Sequence, residues 1–184
     1  MTGDCRNYIT RYIICNMNSV TEDVVKELGY LTLGTRLKRL GERLQSQTQV
    51  LLEAAGTDVP ASHFPILAAL DRLGVLNVGD LTEAVGMSQP GVTRMLDKLE
   101  ADGLVRSAQS AGDRRVRSIE LSKSGRQLIS RLKHMTWPVI DAAVQDACSG
   151  GARSLLTALA ALEEALAAAP LNARAARRSR SGVE

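Results

Sequence analysis

The sequence predicts a mostly α-helical chain that carries one small β-hairpin. Three observations predict it. Leucines recur at heptad-like spacing near both ends of the chain. Two short apolar-periodic segments flank Gly86 in the middle. Only residues 104–121 switch from the helical period to strand-like alternation.

Composition agrees with that class. Hydrophobic residues make up 45% of the 184 residues, enough for a core. Aromatics are only 3%, so the core rests on Leu, Val, Ile and Ala, which favours helices over a β-sandwich. The formal net charge of +3 is too small for a bulk polycation, so only the placement of charge can point to nucleic acid. No apolar run reaches the roughly 18 residues a membrane span needs. Ile13-Ile14 is too short for a signal core, and no small-residue cleavage pattern follows it. The expectation is a cytoplasmic protein with no membrane partner. Cys5, Cys15 and Cys148 lack CxxC spacing, and His63 and His134 are too scattered for a cluster. We therefore expect no disulfide framework, no metal and no cofactor. No nucleophile, acid–base pair or metal cluster suggests an enzyme.

Residues 1–21 read as a flexible leader, within which Met17 offers an alternative start that would remove Cys5 and Cys15. Residues 22–55 read as one long helix with Leu33, Leu37, Leu40, Leu44 and Leu51 on one seam, capped by Gly56. Ser62 is placed to cap a second helix with Pro65 in its first turn and Phe64, Leu67, Ala68 and Leu70 on its buried face. Asp80 is placed to cap a short helix over 81–85 that Gly86 ends. Ser88 then caps a new helix with Pro90 near its start, and Gly103 stops it. The hairpin follows, with a polar tip over 108–115. Ser122 caps a long helix toward Cys148 that Pro138 kinks or breaks. After the Gly150-Gly151 break, Leu155, Leu159, Leu162 and Leu166 form a second seam that Pro170 ends. Residues 171–184 read as a basic disordered tail.

The middle segment carries the function. Two short helices joined by a tight glycine turn make a helix-turn-helix. With Leu81, Val85, Met87, Val92 and Met95 packed between them, the second helix presents Gln89, Pro90, Thr93, Arg94, Asp97 and Lys98. A helix fits the major groove and its first residues reach base edges first, Gln toward adenine and Arg toward guanine. Across residues 104–133 stand eight basic residues (Arg106, Arg114, Arg115, Arg117, Lys123, Arg126, Arg131, Lys133) against Asp113 and Glu120. Positive charge thus gathers where a hairpin wing meets phosphates, and arginines at a loop tip suit a narrow minor groove. The bland alternatives are a solvated helix face for Arg94, an Asp113 ion pair for the wing arginines, and an intramolecular core for the leucine seams.

Residues 81–128 resemble the MarR-type winged helix-turn-helix regulators, in a pattern similar to the SlyA-like branch. The pieces are Leu81-Thr-Glu-Ala-Val-Gly86, Ser88-Gln-Pro-Gly-Val-Thr-Arg-Met-Leu-Asp-Lys-Leu-Glu100, Gly103-Leu-Val-Arg106, Asp113-Arg114-Arg115 and Leu121-Ser-Lys-Ser-Gly125. The resemblance implies one unit over 22–170, with dimerisation helices at 22–56 and 122–170 and the winged helix-turn-helix at 62–121. It implies a homodimer joined through Leu33, Leu37, Leu40, Leu44, Leu155, Leu159, Leu162 and Leu166. It implies contacts to double-stranded DNA from Ser88, Gln89, Pro90, Thr93, Arg94, Lys98, Arg114, Arg115 and Arg117, with Asp113 bracing the wing. Two departures are Thr82, where a small Ala is usual, and the extended leader. The expected function is a sequence-specific transcriptional regulator, a homodimeric repressor of palindromic operators relieved by a small-molecule effector. A pocket beside His63, His134 and Trp137 is a candidate effector site. The alternatives are a thiol-redox-sensing regulator using Cys15 or Cys148, and a winged-helix protein-interaction module.

Overall fold

The computed structural model describes residues 23–108 and 118–181. The leader, with Cys5, Cys15 and Met17, lies outside the described residues. So does the wing tip, with Asp113, Arg114, Arg115 and Arg117. The chain forms two compact units, Met1–Gln45 and Ser46–Glu184.

In the first unit the expected single long helix is interrupted. A short helix α1 (Val24–Glu27) leads into a 3-10 turn (Gly29–Thr32), and only then does α2 (Leu33–Ala54) begin. Gly29 adopts φ +56°, a left-handed conformation that a continuous helix excludes. Side chains reinforce the break. Asp23 accepts the Lys26 amide at 3.3 Å and a two-pronged bond from Arg39, at 3.0 and 2.7 Å. The Thr32 hydroxyl donates to the Val25 carbonyl at 2.6 Å. The Arg39 guanidinium lowers the Asp23 pKa.

The second unit holds the core. Ile66, Leu67, Leu81, Val92, Leu96, Leu99, Ile119, Ile129 and Leu132 are fully buried there. They come from α3 (Phe64–Leu73), α4 (Val78–Val85), α5 (Gln89–Ala101), the strand β3 (Ser118–Leu121) and α6 (Lys123–Met135). Each helix contributes one stripe at three- and four-residue spacing, and β3 buries alternate residues, as the two periods require. The face of α3 is shifted from expectation. Ile66 is fully buried and Ala68 only partly so, because the inward stripe runs through 66, 67 and 70.

Three further expectations are corrected. Ser62 does not cap α3. Residues Ala61–His63 form a 3-10 turn whose Ala61 amide is held by the Gln49 side chain at 2.7 Å. Asp80 does not cap α4 either. Asn77 does, accepting the Asp80 amide at 2.9 Å, so the helix begins three residues earlier. The hairpin is part of a three-stranded antiparallel sheet. Beside β2 (Val105–Ala108) and β3 lies a two-residue strand β1 (Leu76–Asn77), in the order β1-β3-β2. Leu76 pairs with Ile119 and Arg106 with Glu120.

The long helix after Ser122 is two helices, α6 and α7 (Trp137–Ala147), divided at Thr136 with Pro138 in the first turn of the second. Proline is tolerated there because its missing N–H has no partner within the helix. After the glycine break comes α8 (Ala152–Ala168). The basic tail is not disordered through its first eleven residues: they form α9 (Leu171–Ser181). Alanine and arginine are strong helix formers, and Pro170 precedes the helix start. Arg174 ties α9 back by donating to the carbonyls of Ala169 and Ala165. Among the described residues no single helix is long and apolar enough to cross a membrane.

Candidate nucleic-acid interface

The α4–turn–α5 corner is set by Gly86, which sits at φ 63°, ψ 27°. An L-residue reaches that conformation only with strain, so glycine fixes the sharp turn. Leu81 and Val92 are fully buried across the corner, with Val85, Met87 and Met95 packed against the same core. Burying Val92, Leu96 and Leu99 leaves the opposite face of α5 outward. Ser88, Gln89, Pro90, Arg94, Asp97 and Lys98 are exposed, while Thr93 is half-buried.

The outward side chains are partly engaged. Arg94 Nε donates to the Pro90 carbonyl at 3.3 Å and the Thr93 hydroxyl to the Gln89 carbonyl at 3.0 Å. These are contacts along the helix that a base edge or phosphate can replace. Lys98 is tethered to Asp102 at 2.9 Å, one turn away. Ser88 has the extended backbone of an N-cap but makes no side-chain cap bond.

The basic cluster is less open than its count suggests. Arg106 pairs across the strands with Glu120 at 2.8 Å, and Lys133 reaches Asp71 of α3 at 2.7 Å. Arg126 donates to the Leu121 carbonyl at 2.7 Å. Exposed pairs of this kind add little stability. They do position Arg106 beside β3 and dock α6 on α3.

Sequence reasoning missed the joint that holds α5 in place. The Ser122 and Ser124 hydroxyls both reach the Gly103 carbonyl, at 2.6 and 2.7 Å, just beyond the end of α5. The Ser122 hydroxyl also accepts the Gly125 amide at 3.0 Å, and the Ser122 amide donates to the Leu104 carbonyl at 3.0 Å. Gly125 is buried against that backbone: a Cβ there would stand 2.0 Å from the Leu104 oxygen. The start of α6 is thereby bolted to the stretch joining α5 to β2. The Leu121-to-Gly125 motif was the available signal, but only its capping role was legible.

A cleft of about 340 Å³ opens between three elements of the second unit. Thr48 and Leu52 come from α2, Ala61 and Phe64 from the start of α3, and Trp137, Ile140, Asp141 and Val144 from α7. Of the three residues expected beside an effector pocket, Trp137 lines this cleft. His134 lines a separate groove on α6 with Arg126 and Arg131. His63 lines neither, but lies near the end of α5, where burial lowers its pKa; Asp102 opposes that shift and Lys98 reinforces it.

Several leucines of the expected seams are open to solvent: Leu37, Leu40 and Leu44 on α2, and Leu155 and Leu166 on α8. Leu33, Leu159 and Leu162 are half-buried. Among the described residues no group of three or more His, Cys, Asp or Glu side chains is arranged to hold a metal.

Comparison with known proteins places this geometry. The family model for the MarR family matches residues 57–116, a stretch that begins just after α2 and takes in α3, α4, α5 and β2. The uncharacterized HTH-type transcriptional regulator YfiV of Bacillus subtilis (strain 168) is 31% identical over 75 residues. That match covers 41% of this chain and 47% of YfiV, about half the length of that relative. The transcriptional repressor CouR, solved bound to a 23-mer DNA duplex, superposes with a TM-score of 0.65 at 24% identity, covering 79% of this chain and 99% of CouR. NadR, solved in complex with 4-hydroxyphenylacetate, superposes with a TM-score of 0.53 at 22% identity, covering 82% of this chain and 98% of NadR. Those two likenesses establish the winged-helix fold. The helix-turn-helix corner, the three-stranded sheet and the family match agree: residues 57–116 of this chain are similar to the MarR family.

Proposed function

We propose that this protein is a homodimeric, sequence-specific DNA-binding transcriptional regulator, a cytoplasmic repressor of palindromic operators released by a small-molecule effector. It is a regulator and not an enzyme. The observation that carries the reading is the division of α5 into two faces. One is fully buried through Val92, Leu96 and Leu99; the other presents Gln89, Pro90 and Arg94 at the N-terminal end, where a groove-docked helix meets base edges.

In this reading Ser88, Gln89, Pro90, Thr93, Arg94 and Lys98 meet the major groove. Arg114, Arg115 and Arg117 reach the backbone and minor groove beside it, with Asp113 bracing the wing. Residues 62–121 form the DNA-binding part, and 22–56 with 122–170 the dimerisation helices. The outward leucines of α2 and α8 support the homodimer, since exposed apolar rows of this kind mark association surfaces. Two-fold symmetry then sets the half-sites about one helical turn, or 10–10.5 bp, apart. The α2–α3–α7 cleft supports effector control, as does the ligand-bound state of NadR. An effector that binds one dimer geometry better than the other shifts the population of DNA-competent dimers.

The test is fluorescence anisotropy on a duplex selected by the protein from a random pool, and on a scrambled duplex. Arg94→Ala is expected to cost about 1–3 kcal/mol on the selected duplex and to relax specificity. Equal loss on both duplexes refutes base reading by Arg94. Absence of salt-sensitive binding to any duplex refutes the function.

A further inference from the structure

The cleft's own chemistry narrows its ligand, and this step rests on the effector reading above. We propose that the α2–α3–α7 cleft takes a small organic cation, an amine carried on an aromatic or branched apolar body.

The argument begins with size and lining. A volume of about 340 Å³ suits a ring-sized molecule, and Leu52, Phe64, Ile140 and Val144 make most of the wall apolar. Among the described lining residues Asp141 is the single ionisable group, and no Lys, Arg or His joins it. Asp141 stands four residues after Trp137 in α7, so carboxylate and indole lie one above the other on one helix face. Gln145 holds the carboxylate by donating to Oδ2 at 2.6 Å, and a carboxylate so held keeps acceptor capacity at Oδ1. A fixed negative charge beside an indole face suits an ammonium group, by charge-assisted hydrogen bonding and by cation–π attraction. A carboxylate ligand of the same shape meets like charge with no compensating cation from the described lining.

Trp137 is the only tryptophan in the chain, so its fluorescence reports on the cleft alone. The probes are 2-phenylethylamine, 2-phenylethanol and phenylacetate, which share a ring and differ in charge. Titration of the full-length protein, with calorimetry as a second readout, is expected to show the amine binding about tenfold or more tighter than phenylacetate, with the alcohol between them. Asp141→Asn is expected to bring amine and acid close to parity, and Asp141→Glu to retain the preference. Asp141 is solvent-exposed, so both variants keep the fold. Three outcomes overturn the inference: phenylacetate binding as tightly as the amine, a preference unchanged in Asp141→Asn, or no saturable signal from any probe. A parallel anisotropy titration with DNA separates the two levels of argument. Amine binding that leaves DNA affinity unchanged upholds the cleft chemistry and refutes effector control.

Discussion

Gly125→Ala sets two effects of opposite sign against each other. Alanine in a helix is favoured over glycine by about 1 kcal/mol, so propensity alone predicts a more stable protein. The packing predicts the reverse. The new Cβ would meet the Leu104 oxygen at 2.0 Å, the Leu104 carbonyl carbon at 3.0 Å and Leu121 Cδ2 at 3.3 Å. An ordinary C···O contact lies at about 3.3–3.6 Å, so helix and backbone must part by roughly 1 Å or more. The obstacle is backbone and has no rotamer to change. Moving α6 away stretches the Ser122 amide bond to Leu104 and both serine bonds to Gly103. Each of these is worth about 1 kcal/mol, and forced overpacking costs about 1–3 kcal/mol by itself. The net expectation is a loss of about 2–4 kcal/mol, read as a fall in urea midpoint at constant m-value by circular dichroism. Gly34→Ala is the control, since a Cβ on that helical glycine meets nothing within 4 Å. A Gly125→Ala protein as stable as the parent refutes the packing argument.

Other perturbations read other parts of the molecule. Changing Arg114 and Arg115 to Ala is expected to weaken binding to selected and scrambled duplexes alike. The salt slope should fall by about 0.9 for each phosphate that no longer meets an arginine, and an unchanged slope counts against the wing model. Leu40→Lys with Leu44→Lys should turn a dimer into a monomer by analytical ultracentrifugation, because charge replaces apolar surface at exposed seam positions. Ser124→Ala should accelerate amide exchange at Gly103 and Leu104 and weaken DNA binding, whereas Ser124→Thr, which keeps the hydroxyl, should restore both. Burial holds His63 below the ordinary 6.5, so the folded chain takes up its proton less readily than the unfolded one. The stability this confers is complete above about pH 6.5 and is lost as pH falls through that value toward the folded pKa. His63→Gln should flatten that part of the urea-midpoint profile.

Where a local rule was enough, the sequence was legible. Gly86 demanded a turn, the apolar period through Val92, Leu96 and Leu99 demanded a buried stripe, and the outward face of α5 followed by subtraction. Pro138 and the Gly150-Gly151 pair marked breaks that the backbone makes. Errors came where distant residues decide. Asn77 and Asp80 are equally good caps on paper; pairing of Asn77 with Ser118 across the sheet selects Asn77. The leucine seam from Leu33 onward stays on one helix, but the left-handed Gly29 divides the stretch before it, which the helical reading of 22–55 joins on. The cluster of positive charge was counted correctly but not its partners, because Asp71 lies sixty-two residues from Lys133. The serine joint was invisible for the same reason: its acceptor is a backbone carbonyl on another element.

That joint matters for the proposed regulation because of what lies at its two ends. Gly103 follows the end of α5, the proposed recognition helix, with its amide bonded to the Glu100 carbonyl, and its own carbonyl is the atom the two serines hold. From Ser122 the chain enters α6, which buries Ile129 and Leu132 and passes through the buried Thr136 into α7. The first residue of α7 is Trp137, on the wall of the cleft. Trp137 and Asp141 thus place the proposed ligand-binding face one helix length from the serine joint, with close-packed protein between. Close-packed interiors move as rigid pieces and do not absorb displacement smoothly. A ligand that repositions α7 therefore transmits to α5 only to the extent that the serine joint stays closed. Ser124→Ala should uncouple the two, keeping amine affinity while reducing the effect of bound amine on DNA affinity. Full coupling in that variant would place the transmission elsewhere, in the proposed dimer contacts of α2 and α8.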